Sequence, residues 1–220
     1  MIPLVQNYGQ AIPAAVSDSC GDIAGALRDL TEQSHDLARV RLPLDRGVSS
    51  WRRISPDSLI PQAKASGQYL NNVLAKVESM KAGYQEAILL DDHGYVCEGT
   101  GENIYIVVDG EILTPGHHNS ILDGITRSSV VRLAADLGYA VSERNIARAE
   151  LYLADEIFMS GTAAELVPVV EVDDHKIGSG APGEVTKRLQ SAFDDAIHGR
   201  SERYREWLDL VPAPARASAA

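Results

Sequence analysis

Lys64, Glu98, Thr126 and Thr162 are the residues whose types and surroundings suit chemistry on a small ligand. The chain has five lysines, and four have plain structural readings. Lys76 lies off the apolar stripe of its predicted helix, and Lys81 falls in the last turn, where a cation suits the dipole. Lys176 belongs to a polar turn before Gly178, and Lys187 to a charged helical stretch. Lys64 differs because Ala63, Ala65, Ser66 and Gly67 are all small, leaving an amine open to a bulky carbonyl compound. The plain alternative is a surface lysine in a linker. Glu98 stands before two glycines in Cys97-Glu98-Gly99-Thr100-Gly101-Glu102-Asn103, where a permissive backbone can bring a carboxylate close to a flat ligand. Its plain alternative is a glycine turn whose acids solvate a hairpin.

Two further stretches suit an anion. Leu122-Asp123-Gly124-Ile125-Thr126-Arg127 places a glycine and a threonine at a predicted helix start, where free amides and the positive dipole end attract negative charge. Ser160-Gly161-Thr162-Ala163-Ala164 follows a short apolar strand and offers a hydroxyl and amides from a second turn. Alone, the first reads more simply as a capped helix and the second as a common strand-end turn. Together, an accessible lysine, a carboxylate in a glycine frame and two anion-ready turns match the needs of pyridoxal 5'-phosphate. The lysine would hold the aldehyde as a Schiff base, the carboxylate would keep the ring nitrogen protonated, and the turns would bind phosphate.

The elements that must position these residues follow from periodicity. Tyr69 to Ala82 is predicted as a helix with Leu70, Val73, Leu74 and Val77 as its apolar stripe. Ala87 to Leu90 and Tyr95 to Cys97 flank Asp91-Asp92-His93-Gly94, a hairpin pattern, and Asn103 to Val108 with Glu111 to Thr114 repeats it around Asp109-Gly110. A second helix spans Ile125 to Leu137, short strands follow at Ala140 to Glu143, Glu156 to Met159 and Leu166 to Val172, and an amphipathic helix covers Glu184 to Ile197. Ser201 to Leu210 is read as one more helix. The first fifty residues have weaker patterns: a short helix at Ile23 to Leu30 and an edge strand at Ala38 to Leu42. Mixed short strands with helices packed outside imply an α+β domain with a strongly curved sheet.

Composition narrows the function classes. The 220 residues carry 45% apolar and 23% charged side chains, ordinary for a globular chain. A net charge of −11, from 20 basic and 31 acidic residues, argues against a nucleic-acid or anionic-membrane surface. Two isolated cysteines, Cys20 and Cys97, with no close histidine partner, argue against a disulfide framework or a zinc site, and no metal is expected. No apolar run approaches the ~18 residues of a membrane span, and the N-terminus lacks a basic segment before an apolar block, so a cytoplasmic location is expected.

The stretches Gln62-Ala63-Lys64-Ala65-Ser66-Gly67-Gln68-Tyr69-Leu70-Asn71, Glu98 to Asn103, Leu122 to Arg127 and Ser160 to Glu165 resemble, in order and spacing, those of branched-chain amino-acid aminotransferases. These are fold-type IV (class IV) pyridoxal-phosphate enzymes, and the resemblance runs from about Val48 to Leu210. It implies an α+β, fold-type IV aminotransferase-like domain whose curved mixed sheet forms a pseudo-barrel with outer helices. It implies Lys64 as the catalytic, cofactor-holding lysine, which also moves the proton between the substrate α-carbon and cofactor C4′. Tyr69 would hydrogen-bond the phenolic oxygen, Glu98 the pyridine nitrogen, and Leu122 would pack on the ring. Ile125, Thr126 and Thr162 would bind phosphate, while Thr162, Ala163 and Ala164 would hold the substrate carboxylate.

The implied reaction passes an amino group between leucine, isoleucine or valine and 2-oxoglutarate. The alternatives are a non-catalytic relative that retains part of the cofactor site, and another fold-type IV activity such as D-amino-acid transamination or aminodeoxychorismate lyase chemistry. Partners would be a small amino acid and a 2-oxo acid, and the chain would form a homodimer or higher homo-oligomer. Family members carry a whole smaller domain before the lysine, and Met1 to Arg46 does not match it. Residues 1–47 are therefore read as a truncated or divergent remnant, 48–210 as the cofactor-binding domain, and 211–220 as a disordered tail.

Overall fold

The computed structural model of the chain describes residues 44–209. The helix expected at Ile23 to Leu30, the strand at Ala38 to Leu42 and the tail after residue 210 lie outside them. Among the described residues, nine strands form one mixed sheet: β1 (Leu44–Arg52), β2 (Glu86–Leu90), β3 (Val96–Gly99), β4 (Asn103–Val108), β5 (Glu111–Thr114), β6 (Val141–Glu143), β7 (Glu156–Gly161), β8 (Glu165–Val172) and β9 (His175–Lys176). The α-helices of the described residues are α1 (Tyr69–Lys81), α2 (Ile125–Asp136), α3 (Arg148–Leu151) and α4 (Glu184–Ile197).

The strands run β3-β2-β1-β8-β7-β4-β5-β6, with β9 beside β8, and β3 also meets β4. The sheet therefore curls until it closes on itself, and the closing contact is a single residue pair, Glu98 with Asn103. Strand alternation explains how both faces are filled. Ile88, Leu90, Ile104, Ile106, Ile157 and Met159 point into the enclosed core with Val169 and Ile146. The intervening residues Tyr105, Val107 and Phe158 point outward and are covered by Val130 and Leu133 of α2 and Leu189 of α4. Tyr105 and Phe158 stack with ring centroids 4.5 Å apart. This is the α+β arrangement expected from the pattern, a curved mixed sheet with helices outside.

Three details depart from the sequence reading. β1 has no alternating pattern, yet it is a central strand, parallel to both β2 and β8. Its pairing with β2 breaks between Val48 and Arg52. There the Ser50 amide donates to Glu78 of α1 at 2.9 Å, and the hydroxyls of Ser49 and Ser50 bond the same carboxylate. Side-chain hydrogen bonds, which leave no hydrophobic period, hold the strand.

The second departure is the orientation of α1. Its buried face consists of Asn72, Ala75, Lys76 and Ser79, while Leu70 is 59% exposed and Val73, Leu74 and Val77 are half-buried. Lys76, expected off the apolar stripe of its helix, is buried and ion-paired with Glu86 at 2.6 Å. Small and polar residues lie inward because α1 packs close over Ala87 and Leu89 of β2 and supplies partners to polar groups beneath the site. Thirdly, the helix read at Ser201 to Leu210 is a 3₁₀ turn, Glu202–Trp207, whose Tyr204 hydroxyl donates to Asp136 at 2.8 Å. No helix of the described residues is long and apolar enough to cross a membrane.

Candidate active site

A cavity of about 350 Å³ opens where α1, α2 and the ends of β3, β4 and β7 converge, within the range of small-ligand sites. Lys64, Tyr69, Glu98, Leu122, Ile125, Thr126 and Thr162 all line it, although they come from four separate parts of the chain. Ala163 and Ala164, read as carboxylate-holding residues, do not line the cavity; they follow Thr162 in the β7–β8 turn.

Glu98 is fixed at the floor because it sits in the pair that closes the sheet. Arg53 Nε donates to its Oε1 at 2.7 Å, and the Leu122 amide (2.8 Å) and Asn103 Nδ2 (3.3 Å) donate to its Oε2. Burial pushes its carboxyl above the ordinary glutamate range, while Arg53, the Leu122 amide and Lys64 pull the other way. A carboxylate held this way is a ready partner for a cationic or proton-bearing ring atom.

The glycines around it serve close approach. A Cβ on Gly124 would stand 2.4 Å from Asn103 Oδ1, so only glycine lets the Asn103 amide reach Leu122 O at 2.8 Å. A Cβ on Gly161 would stand 3.0 Å from Gly101 O, where the two strand-end turns meet.

The opposite wall is the start of α2. Gly124 caps it in an extended conformation, with no side-chain cap and no acid in the first turn. Its first amides therefore keep their hydrogens for an anion. Thr126 is buried there, whereas Ile125 is 78% exposed. Lys64 lies across the cavity on an exposed loop, 62–67, just before the 3₁₀ turn Ser66–Gln68 that leads into α1. Tyr69 opens α1 at the rim, and Gln62 Nε2 ties the loop to His117 O at 3.1 Å.

Arg53, Asn72 and Asn103 are cavity residues that carry no role in the sequence reading. A buried carboxylate needs a cation, which was the available signal. Nothing in the spacing of Trp51-Arg52-Arg53 singles out Arg53 among the arginines. Among the described residues no His/Cys/Asp/Glu group is arranged to hold a metal, and Cys97 is buried with its thiol pushed up by burial.

Among known proteins, the chain matches the family described as Amino-transferase class IV over residues 13–172. That match starts inside the N-terminal stretch and ends before α4. The chain is 51% identical over 165 residues to a probable branched-chain-amino-acid aminotransferase of Aquifex aeolicus, covering 74% of this chain and 53% of the relative. It is 48% identical over 168 residues to the branched-chain-amino-acid aminotransferase of Escherichia coli K12, covering 76% and 54%. Among solved structures, it resembles the branched-chain aminotransferase from the thermophilic archaeon Thermoproteus uzoniensis with norvaline. That likeness has a TM-score of 0.74 and 42% identity over 76% of this chain and 55% of that one. The PLP form of the Thermobaculum terrenum enzyme is similar at TM-score 0.76 and 40% identity, over 78% and 56%. The chain spans about half the length of the curated relatives it matches.

Proposed function

From the premise that the chain belongs to the class IV aminotransferase family, we propose that its cavity binds pyridoxal 5'-phosphate and transfers an amino group between a branched-chain amino acid and 2-oxoglutarate. The observation that carries this reading is the convergence of Lys64, Glu98, Thr126 and Thr162 on one cavity of about 350 Å³. The donor set fits the cofactor. An amine stands on one wall, a buried carboxylate with an oxygen open to a donor lies on the floor, and an uncapped helix start with a threonine forms the other wall.

When bound, the cofactor supplies an electron sink that weakens bonds at the substrate α-carbon. Lys64 would hold it through Nζ and, once displaced by substrate, would carry the proton at the α-carbon. Glu98 would hold the proton on the ring nitrogen, Tyr69 would donate to the phenolic oxygen, and Leu122 would pack against the ring. The amides of Ile125 and Thr126 and the hydroxyls of Thr126 and Thr162 would bind phosphate. Thr162, Ala163 and Ala164 would offer turn amides to the substrate carboxylate. Leucine, isoleucine or valine and 2-oxo acids are the partners of this reading, which also places the protein in the cytoplasm as a homo-oligomer.

The test is amino transfer. Protein saturated with pyridoxal phosphate and given leucine and 2-oxoglutarate should form glutamate. Glu98→Gln should lower the rate by about 10²–10³-fold, the scale of losing one preorganised electrostatic partner. Bound cofactor without glutamate formation overturns the transfer, and near-normal turnover in Glu98→Gln overturns the role of Glu98.

A further inference from the structure

The floor of the cavity holds a cation that the reading above leaves unused. Arg53 is buried just past the end of β1, where its amide donates to Leu90 O at 2.8 Å. Besides donating to Glu98, its guanidinium donates to Asn72 Oδ1 at 3.0 Å, and Asn72 Nδ2 donates to Thr100 O at 2.7 Å. The group is thus held from the end of β1, from α1 and from the turn after β3, with little freedom to turn away from Glu98.

Counting acceptor positions sharpens the picture. An ionised carboxylate offers about four, two on each oxygen. Oε2 of Glu98 already takes the Leu122 amide and the Asn103 amide, whereas Oε1 takes only Arg53. We propose that Arg53 is a positioning residue that keeps Glu98 ionised and turned toward the cavity, and that Oε1, the oxygen it shares, receives the ring N–H of the bound cofactor. The second half rests on the cofactor reading above; the first is a property of the protein alone.

The balance of forces on Glu98 supports this. Burial favours its neutral form, and Arg53 is the foremost of the groups opposing burial, ahead of the Leu122 amide and Lys64. The other ionisable groups around it are the Cys97 thiol, its neighbour on β3, and Tyr69, Glu102 and Asp123, which line the same cavity. The facing residue of α1 is the neutral Asn72, and Lys76 beyond it is paired with Glu86. Without Arg53 the foremost opponent of burial is lost, and the carboxyl moves further above the ordinary glutamate range. A protonated Glu98 would no longer hold a proton on the ring nitrogen.

Infrared titration of the cofactor-free protein tests the first half, with the Glu98 band identified by its loss in Glu98→Gln. Arg53→Met should raise the midpoint by about 1–3 pH units, the usual effect of removing an opposite charge at contact distance. Arg53→Lys, which keeps the charge, should return it toward the wild-type value. An unchanged midpoint in folded Arg53→Met overturns the proposal, as does a midpoint in Arg53→Lys as high as in Arg53→Met. Should Arg53→Met not fold, Asn72→Ala releases the guanidinium instead; a smaller upward shift is expected, and none overturns the proposal.

For the second half, pyridoxal phosphate labelled with ¹⁵N in the ring should show a protonated nitrogen in the wild type and an unprotonated one in Arg53→Met. A protonated nitrogen in both would show that the ring proton is held without Arg53 and overturns this half. If the wild type binds no cofactor, the functional reading fails while the infrared titration still decides the role of Arg53.

Discussion

The floor and the rim of the cavity are built in opposite ways. On the floor, Arg53, Asn72, Glu98 and Asn103 are buried, and all four have side-chain hydrogen bonds across strands and helices. Below them the network continues through Thr100 and Glu86 to Lys76. At the rim, Lys64, Tyr69, Ile125 and Thr162 are exposed, and Lys64 sits on a loop whose residues 62–67 are all exposed. The difference teaches that the end of the site that must hold a charge in low dielectric is built into the closing pair of the sheet. The end that must accept and release a ligand lies on loops, where access costs no core packing.

Removing a cation from beneath the floor should have the largest effect on stability. Lys76→Ala takes the ammonium away from buried Glu86 and should destabilise the fold by about 3–5 kcal/mol, read by urea denaturation. A loss below about 1 kcal/mol, the scale of an exposed pair, would mean that the buried network does not support the floor. Gly161→Ala probes the junction of floor and rim. Its Cβ would press on Gly101 O at 3.0 Å and Glu102 Cγ at 3.2 Å, so the two turns must part. A destabilisation of about 1–3 kcal/mol is expected, and thermal melting that matches the wild type would show that the turns yield freely. Leu70→Ser tests the outer side of α1, where exposure predicts a change within about 0.5 kcal/mol. A cost of about 2 kcal/mol or more, the scale of a buried leucine, would show that this face is covered in the protein as it exists in solution.

The same contrast governs how much could be read from the sequence. The cavity-lining residues Lys64, Glu98, Thr126 and Thr162 were legible because glycines and small residues surround them, and such neighbours mark turns at strand and helix ends. β4 and β7 were legible as short apolar runs because each buries an apolar set on both faces. What stayed hidden was held by polar contacts. β1 carries no hydrophobic period because serines and Glu78 anchor it. The buried side of α1 was misread because Asn72, Lys76 and Ser79 find partners inward, while Leu70 stays out. Arg53 lies 45 residues from Glu98 in sequence, and only the parallel course of β1 beside β2 brings the two together.

The central claim is that this cavity holds pyridoxal phosphate through Lys64, and absorbance tests it most directly. Titrating the purified protein with pyridoxal phosphate should produce a saturable near-ultraviolet to visible band distinct from that of the free cofactor, and Lys64→Ala should lack it. The same band in Lys64→Ala, or no band in the wild type at saturating cofactor, would contradict the claim.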